Sequence, residues 1–460
     1  MSFIKKNFSI TQPANQILTI MLTLFTPLSF AGMMISGSKT AYQYDARQSL
    51  TPAPSGYQAF YIDHIGRHGS RYISKAKYED IAYKILVLAE KNNQLTEKGK
   101  LLLTQITTIR ELNKDHYGEL SDLGRKDISL ISQRMLKNNP TVFKGQKIAV
   151  ISSTSPRAKE TAEIFINTFK TKYSKLNVNQ QLEDQQTLLR FFEYSPAYAK
   201  YKKNRIIKNT LKSLENDTKS VEMSENIASL IFTSDFIHQL NNGISLSENS
   251  LVKTQNFVLS VYQLYQELLS FSPLVLADNH LDFSGYFTQD QLLWFNTVVT
   301  AKNYLQIGPA FDSNGIQIKI AAPLLLDMLK TADSAIANKD IDANLRFAHA
   351  ETVSPLATLM EIEGTNMVAN PVTDYPSVWQ ADKIIPMAAN IQWIFYRSEQ
   401  ADQPILVKVM LNEREVHLPL KTNNYPYYKW DELKQFYENK LNNWGLTNQE
   451  VVLKWLNKIK

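Results

Sequence analysis

The chain has 460 residues, of which 44% are hydrophobic and 20% charged, with a formal net charge of +6 and no cysteine. This length allows one large domain or two interleaved ones, while the composition excludes a disordered, collagen-like or disulfide-dense chain. The absence of cysteine excludes disulfides, thiolate metal sites and an N-terminal lipid on cysteine. The mild, dispersed positive charge suits an anionic small molecule better than nucleic acid, which would need a concentrated basic stripe.

Residues 1–31 have the layout of a secretory signal peptide. Lys5 and Lys6 precede an apolar run over residues 17–30, and Ala31 provides a small residue for cleavage. A membrane anchor is the alternative, but the run is short for a span of about 20 apolar residues and Pro27 interrupts it. The sequence therefore predicts an exported protein, periplasmic or secreted, without stable membrane insertion after cleavage.

Strand and helix patterns alternate after this segment. Apolar runs predict buried strands over residues 58–65 and 147–152. A helix is predicted over residues 127–137. Another is predicted after Ser155-Pro156, because serine as N-cap and proline at the first helical position favour a helix start.

From about residue 195 to residue 340 the apolar spacing is mainly helical, most clearly over residues 251–269 and 287–305. We therefore predict an α/β core, residues 41–194 and 341–460, with a mostly parallel central sheet flanked by helices. An α-helical insert domain, residues 195–340, interrupts this core.

The last part of the chain resumes the strand pattern. A third strand is predicted at residues 345–348, and Ser354-Pro355 is predicted to open a helix. Residues 405–411 and 415–420 read as a hairpin, and an amphipathic helix is predicted from Trp430 onward.

Three of the predicted strands run into polar loops that precede helices. Ligands gather at the carboxyl ends of strands in open α/β sheets, so these loops form a candidate site. Together they supply three Arg, two His and one Glu, in the strings Gly66-Arg67-His68-Gly69-Ser70-Arg71, Ser152-Ser153-Thr154-Ser155-Pro156-Arg157 and His349-Ala350-Glu351-Thr352.

These residue types suit phosphoryl transfer. The planar guanidinium group of arginine can form two hydrogen bonds to the equatorial oxygens of a phosphoryl group. Arg157 is predicted to lie near a helix N-terminus, which also favours an anion. Neutral imidazole can attack phosphorus, with Gly69 beside His68 allowing the phosphate to approach the backbone. Glu351 can protonate the leaving alkoxide. Each residue alone has a structural explanation, but the compact first string and the order of all three loops favour a site.

The strings resemble the histidine acid phosphatase branch of the histidine phosphatase superfamily, whose hallmark is Arg-His-Gly-x-Arg with a distant His-Asp or His-Ala-Glu. The His-Ala-Glu form is similar to the multiple inositol polyphosphate phosphatase group. The resemblance covers roughly residues 55–420 and extends to Gly118-Glu119-Leu120-Ser121 through Leu123-Gly124, Leu189-Arg190-Phe191-Phe192, Asn303-Tyr304-Leu305 before Gly308-Pro309, and residues 407–413.

The resemblance implies hydrolysis of phosphate monoesters, with phytate or lower inositol phosphates as substrates, and no metal or organic cofactor. It implies a phosphohistidine on His68 and Glu351 as the proton donor. The phosphate-binding residues would be Arg67, Arg71, Arg157 and His349. Ile73 stands where many members have proline, which puts the rigidity of the loop or the substrate fit in doubt.

A substrate with several phosphates needs further cations. Lys75 and Arg190 are predicted to bind substrate, with a structural ion pair as the alternative for Arg190. Lys77 also follows the first motif, and the run Lys202, Lys203, Arg205 is read as a solvated face.

Three other functions stay open. A broad acid phosphatase differs only in pocket shape, a mutase of the phosphoglycerate type would return phosphate to its substrate, and a non-catalytic protein would bind phosphate compounds without turnover. As an enzyme, the chain should work best at acidic to near-neutral pH, with His68 neutral, His349 cationic and Glu351 protonated. No dimer seam is visible, so a monomer is expected. The dispersed positive charge predicts that the protein binds no nucleic acid.

Overall fold

The computed structural model of the chain describes residues 37–182, 187–247, 250–400 and 402–458. The predicted signal peptide, residues 1–31, lies outside the described residues. Among the residues that are described, no helix has both the length and the apolar character that a membrane span requires.

A mixed sheet forms the centre of the fold, and a separate two-stranded sheet lies in the helical part. The strands are β1 (Tyr57–Arg67), β2 (Lys147–Ser152), β3 (Asn177–Leu182), β4 (Ile244–Ser247), β5 (Ser250–Val252), β6 (Ala343–Ala348), β7 (Asn390–Ser398), β8 (Leu406–Leu411), β9 (Arg414–Glu415) and β10 (Tyr427–Lys429). The central order is β10-β8-β7-β1-β6-β2-β3, with β9 paired to β8. The pairs β1–β6, β6–β2 and β2–β3 are parallel, whereas β7 is antiparallel to β1. β1 is almost wholly buried, as expected of a strand covered on both faces.

Helices cover this sheet and fill the middle of the chain, which confirms the predicted α/β class. They are α1 (Lys77–Lys91), α2 (Glu97–Asn113), α3 (Asp122–Asn138), α4 (Pro156–Lys172), α5 (Phe191–Tyr194), α6 (Pro196–Lys202), α7 (Arg205–Glu215), α8 (Thr218–Ile231), α9 (Ser234–Asn242), α10 (Thr254–Leu268), α11 (Pro273–Asp278), α12 (Gln289–Ile307), α13 (Ile316–Lys319), α14 (Ala322–Asn338), α15 (Ala350–Leu359), α16 (Ala381–Ile384), α17 (Trp430–Asn443) and α18 (Gln449–Asn457). Short 3₁₀ turns lie at Gly37–Lys39, Val142–Lys144, Ser284–Tyr286 and Val372–Ser377.

The helical part draws on more of the chain than residues 195–340. Ile85 of α1 and Ile106 of α2 are buried in one apolar cluster with Ile231 of α8, Phe257 of α10 and Phe295 of α12. Residues 77–113 therefore share a core with the middle of the chain. The boundaries of a separate insert domain stay a prediction.

The prediction that Ser354-Pro355 opens a helix is wrong. The amide N–H groups of Thr352 and Val353 both donate to the His349 carbonyl at 3.1 Å, so α15 begins at Ala350, and Pro355 lies in its second turn. Proline there removes one backbone hydrogen bond. The rest of α15 from Thr352 onward is buried, and that packing offsets the loss.

Two other predicted elements are shorter than expected. Residues 251–252 belong to β5, so the helix predicted from residue 251 starts at Thr254. The second hairpin strand, predicted over residues 415–420, ends at Glu415. Beyond it the chain turns away from the neighbouring strand, and the amide of Leu418 donates to the Tyr428 hydroxyl at 3.0 Å.

A buried ion-pair network joins the two central parallel strands to α14. Arg346 of β6 donates to Asp63 of β1 and, at 2.6 Å, to Asp327 of α14. The hydroxyl groups of Tyr61 and Thr331 each donate to Asp63 at 2.9 Å. Burial raises the pKa of Asp63 to about 6, although the positive charge of Arg346 acts to lower it. The network holds β1 and β6 in register a short distance before their carboxyl ends.

Replacing Arg346 by methionine should destabilise the fold strongly, because it leaves Asp63 buried without its cation. We expect a loss of about 3–5 kcal/mol in the free energy of unfolding, measured by urea denaturation followed by circular dichroism. Lys100→Met, which removes an exposed ion pair with Glu97, is the control and should leave the midpoint nearly unchanged. Equal midpoints for the two variants would contradict a structural role for the network.

Candidate active site

Parallel pairing brings the three predicted loops to one edge of the sheet. Arg67 of β1 pairs with Ala348 of β6, and Ser152 of β2 pairs with Phe347 of β6, so the three strands end side by side. The His68 amide donates to the Ala348 carbonyl at 3.1 Å. This arrangement confirms the prediction that the loops meet, and it fixes the backbone of His68 on the end of β6.

The loop after β1 is held by a second segment, residues 118–121. The amide of Tyr72 donates to the Glu119 carbonyl at 3.0 Å, and the amide of Gly118 donates to the Ile73 carbonyl at 2.8 Å. The Ile73 side chain is buried. Backbone pairing and burial therefore fix the loop at the position where many family members have proline.

A contact with α3 gives a second reason for glycine at position 69, while the close approach of a phosphate to its backbone stays a prediction. A Cβ atom on Gly69 would lie 2.8 Å from the carbonyl oxygen of Gly124 in α3. A Cβ atom on Gly124 would in turn lie 2.1 Å from the carbonyl oxygen of Ser70. Both glycines are required because the motif loop and the start of α3 are in backbone contact.

The His68 imidazole is buried and held in one tautomer. Its Nδ1 atom lies 2.9 Å from the Gly69 carbonyl oxygen, which can only accept, so Nδ1 carries the proton and Nε2 keeps its lone pair. Burial, followed by the charges of Arg67 and Arg157, lowers the pKa of His68 well below its usual value. The ring is therefore a neutral base with Nε2 as its nucleophilic atom.

His349, the N-cap of α15, is the second imidazole of the site. Its ring centroid lies 5.6 Å from that of His68, and its Nε2 is 2.9 Å from the Ser153 hydroxyl. Burial and the nearby arginines, Arg157 first, lower the pKa of His349 to about 3. Without an anion the surrounding positive charges disfavour a charged His349, and its action as a cationic donor to a bound phosphate stays a prediction.

Arg67, Arg71 and Arg157 surround the two imidazoles. Arg67 is fixed by Nη1, which donates to the backbone carbonyl groups of Ser38 and, at 2.6 Å, of Ile385. Burial and the charge of Arg71 lower the pKa of Arg67 to about 9. Arg157 lies in the first turn of α4, where backbone N–H groups also favour an anion.

Buried donors without acceptors mark this cluster. In the described part of the chain, no acceptor meets the buried Nε–H groups of four arginines, namely Arg67, Arg71, Arg157 and Arg190. Buried charged donors without partners are costly, so an anion with several oxygens would satisfy groups that the protein itself leaves open.

Glu351 lies in the first turn of α15 with its side chain exposed. Its charge raises the pKa of Arg67 and Arg157 against the effect of burial, which places it within electrostatic reach of the cluster. The charge of Glu351 also raises the pKa of Lys202 against the effect of burial. The Lys202 amine lies 4.7 Å from the centroid of the Tyr198 ring. The run that contains Lys202 is typical of a solvated face, because nothing local in the sequence indicates that Glu351 and Tyr198 are its neighbours.

Arg190 and Lys75 lie around the edge of the cluster. Arg190 forms an ion pair with Glu193, as the structural alternative to substrate binding predicted. It also donates to the hydroxyl of Thr154 in the second loop at 2.9 Å. Lys75 is exposed and lines a cavity of about 430 Å³ that shares Arg71 with the site.

Comparison with known proteins gives a consistent result. A family model described as "Histidine phosphatase superfamily (branch 2)" matches residues 63–412, which is more than half of the chain. Proteins of curated function give no match.

Solved structures share the fold. The multiple inositol polyphosphate phosphatase of Bifidobacterium longum, crystallised with inositol hexasulfate, superposes with a TM-score of 0.78 at 23% identity, over 87% of this chain and 97% of that chain. A phytase from D. castellii superposes with a TM-score of 0.62 at 16% identity, over 88% of this chain and 84% of that chain.

Gly124→Ala should displace the motif loop, because the new Cβ would clash with the Ser70 carbonyl. We expect affinity for inorganic phosphate, measured by isothermal titration calorimetry, to fall by at least about tenfold. Gly285→Ala is the matched control, since a Cβ there meets no atom within 4 Å. Unchanged phosphate affinity in Gly124→Ala would contradict the role given to this backbone contact.

Proposed function

The chain belongs to branch 2 of the histidine phosphatase superfamily, and we propose that it hydrolyses phosphate monoesters of inositol polyphosphates through a phosphohistidine on His68. The observation that carries this proposal is a His68 imidazole with a free Nε2 lone pair among arginines whose buried Nε–H groups meet no acceptor within the described residues. Transfer of a phosphoryl group requires an uncharged nucleophile. It also requires fixed cations that can bind the phosphate oxygens.

The first half of the reaction transfers the phosphoryl group to the enzyme. The Nε2 lone pair of His68 forms the N–P bond while the ester P–O bond breaks. Arg67, Arg71 and Arg157 stabilise the charge on the equatorial oxygens. The departing alkoxide takes a proton from Glu351.

The second half returns the enzyme to its starting state. Glu351, now a carboxylate, takes a proton from a water molecule that attacks phosphorus and breaks the N–P bond. Inorganic phosphate leaves, and His68 is neutral again. His349 can donate to a phosphate oxygen from its ring, and a bound dianion would raise its pKa from the value in the empty site.

The inositol phosphates are proposed on two grounds. The Bifidobacterium longum structure with this fold holds inositol hexasulfate, an analogue with several anionic groups. In this chain Lys75 and other lysines line a cavity next to Arg71, and they suit a substrate with more than one phosphate. A broad acid phosphatase would instead show no preference for such substrates.

Export to the periplasm or the medium is part of the same proposal. It is supported by the basic start, the apolar run and the small residues of residues 1–31.

Phosphate release by the purified mature protein tests the reaction, with phytate and an aryl phosphate as substrates at acidic and neutral pH. His68→Ala should lower kcat/KM by at least about 10³-fold for both substrates, because the nucleophile is lost. His238→Ala, an exposed histidine on α9, is the matched control and should leave both rates unchanged. No release from either substrate by the wild type would sink the enzyme hypothesis.

Glu351→Gln should separate proton donation from binding. The loss in kcat should reach about 10²-fold or more for phytate, whose alkoxide needs a proton, and be smaller for an aryl phosphate with an acidic phenol. In the wild type, the lowered pKa of His68 keeps the nucleophile uncharged at acidic pH, so kcat/KM should not fall between pH 8 and pH 5 as it would for an imidazole with its ordinary pKa.

Glu363→Gln, an exposed glutamate beyond α15, serves as the control. An alkaline optimum for the wild type, or equal losses for both substrates, would overturn these roles.

A further inference from the structure

The charged residues that line the cavity next to Arg71 are mostly basic. It has a volume of about 430 Å³, within the range of small-molecule sites. Its basic lining residues are Lys39, Arg71, Lys75, Lys77 and Lys302. Among its described lining residues the single acid is Glu267.

Lys39 and Glu267 form an ion pair in the wall of this cavity. Nζ of Lys39 lies 2.5 Å from Oε1 of Glu267 and donates to the Gln263 side-chain oxygen at 2.7 Å. The two side chains are only 17% and 8% exposed. The other carboxylate oxygen of Glu267 is buried and has no partner in the described part of the chain. Lys39 therefore neutralises a carboxylate that would otherwise be unpaired.

The segment that carries Lys39 is attached to the active site. The Ser38 carbonyl accepts from Arg67, and the Thr40 carbonyl accepts from the Met387 amide at 2.8 Å. Gly37 has a φ of +55°, and a Cβ there would lie 2.1 Å from a Thr300 side-chain atom in α12. Lys39 is thus held between the end of β1 and the helices that form the cavity wall.

We propose that this cavity receives a second phosphate group of the substrate whose first phosphate is held at His68. We further propose that Lys39, by neutralising Glu267, is the positioning residue that sets the preference for polyphosphorylated over singly phosphorylated substrates. The inference rests on the proposed function and deepens it.

The physical basis is electrostatic. With the ion pair intact, the remaining lysines and Arg71 make the cavity attractive to a phosphate. Without Lys39, the Glu267 carboxylate would repel the second phosphate at short range in a partly desolvated site. A substrate with one phosphate does not reach into the cavity, so it does not meet this repulsion.

Steady-state kinetics with phytate and 4-nitrophenyl phosphate test the inference. The ratio of kcat/KM for phytate to that for the aryl phosphate should fall by at least about tenfold in Lys39→Met, mainly through KM for phytate. Lys39→Arg should recover most of the ratio, because it restores the cation. Lys98→Met, an exposed lysine on α2, is the control and should leave the ratio unchanged.

The double variant Lys39→Met/Glu267→Gln keeps the test falsifiable if Lys39→Met folds poorly. It removes both charges together, which is far less costly than leaving one of them unpaired. Its ratio should return to within about threefold of the wild type. A ratio that stays tenfold low in the double variant would overturn the role through Glu267, as would equal losses for both substrates in Lys39→Met.

The same variants separate this inference from the proposed function. Turnover of the aryl phosphate with an unchanged ratio in Lys39→Met would leave the phosphatase standing and sink the inference. If the wild type turns over neither substrate, calorimetric binding of phytate and inorganic phosphate gives the same comparison. Lys39→Met should then weaken phytate binding at least about tenfold more than phosphate binding, and equal effects would overturn the inference.

Discussion

Parallel pairing of β1 with β6, and of β6 with β2, is the constraint on which the rest of the site depends. It places three strand ends side by side, so that loops separated by up to 280 residues in sequence share one edge. The buried Arg346 network ties β6 to β1 and to α14 just before that edge. A shift of one residue in this pairing would turn His68 and its neighbours to the other face of the sheet.

The site concentrates positive charge that nearby carboxylates balance only in part. Burial lowers the pKa of Arg67 and of Arg157, and the same charges keep His68 and His349 neutral. Repulsion between the cations is a cost in the empty site, and an anion relieves it. Under the proposed function, one arrangement would therefore both bind phosphate and hold His68 in its reactive, uncharged form.

Rigidity around this charge comes from backbone contacts. Gly69 and Gly124 let the motif loop and α3 touch, and the pairing of Tyr72 with Glu119 continues that contact. Ser38 holds Arg67 from the other side. Such backbone contacts keep cations at fixed positions, which is what preorganised stabilisation of a transferring phosphoryl group needs.

Periodicity and local motifs are properties of neighbouring residues. The sequence alone therefore predicted the strands over residues 58–65, 147–152 and 345–348, the helical middle of the chain and the loops that carry the candidate site, whereas the first strand continues to Arg67. The tertiary structure alone decided that Gly69 contacts Gly124, that α15 begins before Pro355 and that burial among arginines lowers the pKa of His349. It also placed Lys39 and Lys202 near the site, although neither residue belongs to a motif. These features depend on sums of charge and on contacts between distant segments, and no local pattern in a sequence records them.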